Sequence, residues 1–211
     1  EKIWDKISKP WKVYVVKIIP AVEKFLENKK GKIIDLGCGS GRNMIKNDEI
    51  EYTGIDFSKL QLKQAKKYIK ENKIKAKLIK ANAYDLNNIK SKSFDYGLFI
   101  ATIHCIENKL KRKKALKEFF RVLKPEAEAL MTVWNSNDKR FQHIKNKGEV
   151  YMSWMNNNIP YMRYYYLYKK EELIKLIEST GFKIIEFSEY KKNERESRFS
   201  RKNWIIKIKK F

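Results

Sequence analysis

Residues 32–42 read Lys32-Ile33-Ile34-Asp35-Leu36-Gly37-Cys38-Gly39-Ser40-Gly41-Arg42. The run through Ile33 and Ile34 has the composition of a short buried strand, and it ends in an acid followed at once by glycines at every second position. Glycine lets the backbone turn tightly and approach a ligand where a Cβ would obstruct it. A dinucleotide loop, Gly-x-Gly-x-x-Gly, needs a further glycine to pack its helix on the strand, and Arg42 stands there instead. That argues against nicotinamide binding. A second run, Glu51-Tyr52-Thr53-Gly54-Ile55-Asp56-Phe57, also ends in an acid, placed where a carboxylate can accept both hydroxyls of a ribose.

Outward from these two strands the pattern alternates. Leu60, Leu62, Ala65, Tyr68 and Ile69 fit a helix over 58–73 with Ser58 as N-cap. Strands are expected at 76–83, 94–101 and 128–134, with a basic helix at 109–123 stopped near Pro125. A helix at 169–180 has Gly181 as its C-terminal glycine, and an antiparallel strand pair, 183–190 and 204–209, flanks a charged loop at 191–202. Before the core, Trp11, Val15, Ile18, Ile19, Val22, Phe25 and Leu26 recur at helical spacing and predict a helical flank over 1–30. Residues 135–168 read as a substrate-side insertion, with no clear period over 135–162. The expectation is one α/β domain over 1–211, Rossmann-like. Its seven-stranded sheet is mostly parallel with an antiparallel C-terminal strand, helices lie on both faces, and ligands bind at the carboxyl ends of the strands.

The chain has 211 residues, 43% hydrophobic and 13% aromatic, enough for one substantial core. No apolar run reaches the roughly 18–20 residues of a membrane span, and the first residues lack the pattern of a secretory signal, so a cytoplasmic protein is expected. Cys38 and Cys105 form neither a disulfide framework nor a metal spacing, and no metal site is expected. The net charge of +23 attracts polyanions, nucleic acid above all. Arginine occupies only eight positions, so lysine dominates, as a coding bias or a heat-adapted surface would also produce. Lysine clusters at 109–117 and 191–202 are candidate RNA contacts, the first on a helix away from the glycine loop.

The acid ending strand one, the glycines, and the acid ending strand two together resemble the first two motifs of class I S-adenosylmethionine-dependent methyltransferases. Asn82-Ala83-Tyr84-Asp85-Leu86 resembles their third, adenine-contacting motif, with Asn82 in place of the usual acid; Asp85 could equally cap the following turn. The resemblance implies S-adenosylmethionine as cofactor, held by Asp35, Gly37, Cys38, Gly39, Gly41, Asp56, Phe57, Asn82, Ala83 and Ala101.

Later segments are more specific. Ile100-Ala101-Thr102-Ile103-His104-Cys105-Ile106, the helix ending Phe119-Phe120-Arg121-Val122-Leu123-Lys124-Pro125, Val133-Trp134-Asn135, Arg163-Tyr164-Tyr165-Tyr166-Leu167-Tyr168 and Asn203-Trp204 resemble the tRNA wobble-uridine carboxymethyl methyltransferases. That resemblance implies tRNA as substrate, His104 and Arg163 in catalysis, Trp134, Asn135 and Tyr165 at the substrate, and a small zinc-binding activator protein along the edge of strand three near Lys77-Leu78-Ile79-Lys80. The chain departs from the family at Val15, where an Arg is usual, at Ile19 for Trp, at Cys105 for the second of paired histidines, at Glu126-Ala127 for a glycine pair, and at Tyr166 for His. A carboxylate acceptor is already ionised and needs no general base. The Asp/Asn-Pro-Pro-aromatic motif of exocyclic-amine methylation is absent after strand four, as are the Pro-Cys and Thr-Cys pairs of cytosine C5 chemistry. A small-molecule methyltransferase and a tRNA-binding protein that has lost activity remain alternatives.

Overall fold

The computed structural model describes residues 2–8, 17–189 and 203–211. Seven strands form one sheet in the order β3-β2-β1-β4-β5-β9-β8. These are β1 Gly31–Leu36, β2 Ile50–Asp56, β3 Ala76–Lys80, β4 Phe94–Ile100, β5 Leu123–Trp134, β8 Phe182–Glu189 and β9 Asn203–Lys210. β1 to β5 pair in parallel, while β9 runs antiparallel to both β5 and β8. The order reverses between β1 and β4, and it is outside the carboxyl ends of such strands that ligands bind.

Neighbouring strand residues alternate between two cores. Ile33 and Leu98 pack with Val22 and Leu26 of α2 (Pro20–Leu26), and Leu62 and Ile69 of α3 (Lys59–Glu71) lie against that layer. Ile34 and Phe99 face the other way, onto Leu116 and Phe119 of α4 (Lys109–Val122) and Leu173 and Ile177 of α5 (Lys170–Glu178). Helices therefore cover both faces, as expected. Ser58 does cap α3, its Oγ accepting from the Gln61 N–H at 3.1 Å. The connection from β1 to β2 contains no helix, so the glycine loop passes directly into irregular backbone.

Several boundaries differ from the sequence reading. β3 stops at Lys80 instead of 83 because the chain turns there, with the Asp85 N–H donating to the Asn82 carbonyl at 2.9 Å. β5 starts at Leu123, directly after α4, rather than at 128. It accommodates Pro125 with a bulge: Phe94 pairs with Leu123 but Tyr96 with Glu128. Glu126 sits there at φ +63, a left-handed conformation that suits the family's glycine better. Lys210 replaces a conventional helix cap, its Nζ donating at 2.7 Å to the carbonyls of Phe120 and Leu123.

The largest correction concerns the insertion. Within it lies a hairpin, β6 Gly148–Asn156 and β7 Ile159–Leu167, turned through Asn157 and Asn158, both at positive φ. That is the backbone a two-residue hairpin turn requires, and asparagine tolerates it. Apolar and aromatic residues on both faces, such as Tyr151 against Trp154, hide the period of two that would have revealed the strands. In the N-terminal flank, α1 (Lys2–Lys6) and α2 are helical. Trp11, Val15 and the charged loop at 191–202 lie outside the described residues.

Candidate active site

A cavity of about 670 Å³ opens over the carboxyl ends of β1, β2 and β4. Its floor is the glycine loop. Gly37, at φ +80, is backed by Thr102, and a Cβ would stand 2.3 Å from the Thr102 side chain, so only glycine fits. Among the described residues nothing lies within 4 Å of where a Cβ on Gly39 would stand, at φ +53, so they leave the backbone bare on that side. The loop is tied to β2 by Asp56: one carboxylate oxygen accepts from the Gly39 N–H and the other from the Ser58 N–H, both at 2.9 Å. Ser58 in turn donates to Asp5 of α1, which also accepts from the Leu60 N–H. This chain of bonds lays α1 beside the site, and Ile3 and Trp4 form part of the cavity wall.

Asp35, beneath the loop, is fully buried, and neither carboxylate oxygen has a hydrogen-bond partner among the described residues. An unpaired buried carboxylate is costly unless a cation is supplied. Burial pushes its pKa up to about 7, the neighbouring Asp56 adds to the rise and Arg42 opposes it. Asp56 is raised to about 6 by burial, against the N–H groups it accepts.

The opposite wall carries Lys111 and Tyr164, together with Cys105, Glu107 and Arg163. Arg163 is buried, with its guanidinium 5.2 Å from the Tyr165 ring centroid. Burial lifts the Cys105 thiol to about 12, so it is no thiolate at neutral pH. Lys111 Nζ lies 5.2 Å from the centroid of Tyr84.

Of the residues singled out from sequence, Gly37, Cys38, Gly39, Asp56, Phe57, Asn82, Ala83, Ala101 and Arg163 line this cavity. Asp35 lies beneath the floor, and Gly41, at φ +84, turns the loop without reaching the cavity wall. His104 is turned away from the opening, 1% exposed, with ring centroids 5.1 Å from Trp134 and 5.8 Å from Tyr165. Trp134 stacks on Tyr165 at 4.0 Å. Burial holds His104 well below its usual range, at about 3, so the ring is neutral. Asn135 braces its own turn by accepting from the Asn137 N–H at 2.8 Å. Trp4, Gln61, Thr102 and Tyr164 were not singled out for the cavity; Thr102 and Tyr164 stand within the quoted motif segments, whereas Trp4 and Gln61 are brought there by packing, with no local motif to mark them.

The basic cluster at the start of α4 also needs correction. Lys111 belongs to the cavity wall, and Arg112 is buried, donating to the Ile106 carbonyl at 3.0 Å and the Tyr164 hydroxyl at 2.9 Å while stacking on Tyr166. Arg112 is a structural cation that fixes β7 to α4.

A family model described as a methyltransferase domain matches residues 27–191. The chain belongs to this methyltransferase family. A Schizosaccharomyces pombe protein named tRNA (carboxymethyluridine(34)-5-O)-methyltransferase is 28% identical, the match covering 97% of this chain and 93% of that one. An Arabidopsis thaliana protein of the same name is 33% identical over 54% of this chain and 27% of its own. A Methanosarcina mazei structure described as a SAM-dependent methyltransferase superposes with a TM-score of 0.73 at 24% identity, covering 92% of this chain and 99% of that one. The methyltransferase thus has the fold of the S-adenosylmethionine-dependent class, and S-adenosylmethionine is its cofactor. The residues fit that molecule. The unpaired Asp35 suits its cationic amino acid end, Asp56 its ribose, the open face of Gly39 its close approach, and Asn82 and Ala83 its adenine.

The acids predict a pH dependence. In the unfolded chain these carboxyls ionise near 3.8, whereas the fold holds their protons to about 7 and 6. Their contribution to folding is present at low pH and is lost as pH rises through those values. A cationic ligand needs Asp35 ionised, so its affinity moves the other way. S-adenosylmethionine binding measured by calorimetry should strengthen about tenfold between roughly pH 5.5 and 7, below the range where an α-amino group loses its proton. A flat profile would remove Asp35 from the cofactor site.

Proposed function

We propose that this methyltransferase is a cytoplasmic tRNA-modifying enzyme that esterifies the carboxylate of a 5-carboxymethyl uridine at the wobble position. The observation that carries this reading is the acceptor end of the cavity. Arg163 supplies a cation there, while His104 and Cys105 are held uncharged, so that end suits an anionic acceptor, which has no proton to lose to a general base. The names of the fission-yeast and Arabidopsis relatives point to the same acceptor.

S-adenosylmethionine, when bound, would supply an electrophilic methyl group: a carboxylate oxygen would bond to that carbon as its bond to the sulfonium sulfur breaks, leaving the neutral thioether S-adenosylhomocysteine, with no proton to remove. Arg163 orients the acceptor carboxylate by charge-assisted hydrogen bonds and aims its free oxygen toward the glycine loop. His104 acts through others: packed on Trp134 and Tyr165, it braces the strand that carries Arg163 and is a positioning residue. The outer edge of β3, which among the described residues pairs only with β2, would receive the zinc-binding activator. Mass spectrometry of nucleosides from tRNA bearing the free acid, incubated with enzyme, cofactor and activator, should show conversion to the methyl ester. Unchanged acid alongside methylation of another base would overturn the assignment.

The +23 charge gives a second measurable consequence. tRNA affinity should fall steeply as salt rises. Reversing the exposed Lys109, Lys114 and Lys117 should lower the salt slope by about 1 for each lysine that touches a phosphate, leaving cofactor affinity unchanged. A salt-independent affinity would rule out phosphate contacts as the basis of binding.

A further inference from the structure

The glycine loop does more than clear space: it carries Arg42 into the cavity. The Gly41 N–H donates to the Cys38 carbonyl at 2.9 Å, the Met44 N–H donates to the Gly41 carbonyl at 3.0 Å, and Gly41 takes φ +84. The resulting tight turn sets the Arg42 side chain in the cavity wall beside Gly37, Cys38 and Gly39. Arg42 makes no hydrogen bond or ion pair with any described residue, although a carboxylate, Asp35, is close enough to act on it through space. A guanidinium so placed, with no donor used among the described residues, is set to receive an anion that those residues do not provide.

We infer that Arg42 binds the α-carboxylate of S-adenosylmethionine, so that Asp35 and Arg42 together form a receptor for the zwitterionic amino acid end. The position of the other cations supports the assignment. Asp56 at the end of β2 and Asn82-Ala83 after β3 take the adenosyl end, and Lys111 stands on that side, over Tyr84. Arg163 stands by Tyr165 and acts on Cys105, at the acceptor end. Only Arg42 is on the glycine loop itself, next to the acid that receives the ammonium. Burial and the field of Asp35 pull its pKa in opposite directions, burial prevailing, and the group stays charged at neutral pH with a value of about 10. A second anion beside it relieves that unfavourable burial.

The inference rests on S-adenosylmethionine being the cofactor and is independent of the RNA acceptor. Its test is calorimetric binding of two ligands to the full chain, S-adenosylmethionine and its decarboxylated analogue, which keeps the sulfonium and the amine but lacks the carboxylate. The native enzyme should prefer the intact ligand. Arg42→Met should weaken S-adenosylmethionine by about 10- to 100-fold, the scale of a charge-assisted contact, and the analogue by less than about threefold. Arg42→Lys, which keeps the charge, should retain part of the preference and guards against a merely structural failure of the Met variant. Equal losses for both ligands would show that Arg42 only balances Asp35 and would overturn the inference, as would no loss for either. If the native chain binds neither adenosyl ligand, the cofactor reading fails first and the inference falls with it.

Discussion

Asp35→Asn should reduce S-adenosylmethionine affinity by about 100-fold, corresponding to about 2.7 kcal/mol, while making the ligand-free protein more stable at neutral pH. Both effects follow from one observation, a fully buried carboxylate without a hydrogen-bond partner among the described residues. In the free enzyme its ionisation is opposed by burial and by Asp56. Asparagine keeps the shape and removes the charge, so the ligand-free fold loses an unfavourable group and the ligand loses its counter-ion. Calorimetry and thermal melting of the same samples check the pair of signs. A variant that binds normally, or one that both melts early and binds weakly, would show that Asp35 is a structural acid. The pH profile of binding should also flatten in this variant.

The second large effect is expected at Arg163. Arg163→Met keeps much of the aliphatic stem but removes the cation at the acceptor end, and turnover on tRNA should fall by about 10²- to 10³-fold. Cofactor affinity should stay within about threefold, because Asp35, Asp56 and Asn82 are untouched. The same comparison separates Arg163 from His104. His104→Phe preserves the aromatic packing on Trp134 and Tyr165, and a positioning residue should tolerate it better than His104→Ala. If Arg163→Met methylates tRNA at the native rate, the carboxylate-receptor account is wrong.

The cofactor half of the site was legible because its signal is local. Asp35, Gly37, Gly39 and Asp56 sit at strand ends whose direction and order follow from the βαβ pattern, and the sheet delivers them to one place. Even Arg42, which the sequence shows only as a departure from a dinucleotide loop, lies within that motif. The acceptor half was less legible. Arg163 and Tyr164 reach the cavity from a hairpin whose mixed faces conceal its strands, and their side chains are fixed by contacts far apart in sequence, such as Arg112 to Tyr164. His104 illustrates the same limit: its sequence neighbourhood marks the end of β4, but the one-residue twist of the following 3₁₀ turn gives the cavity to Cys105 and the aromatic core to His104. The basic helix misled for a related reason, since a run of cations does not reveal that Arg112 points inward.

The most direct test of the account is the chemical lability of the transferred methyl group. tRNA bearing the free carboxymethyl acid would be incubated with the enzyme, an activator protein and S-adenosylmethionine radiolabelled in its methyl group, and the recovered tRNA treated with mild alkali. An ester is saponified, so the label should leave as volatile methanol; label that stays on the tRNA, on nitrogen or carbon, would contradict carboxylate methylation.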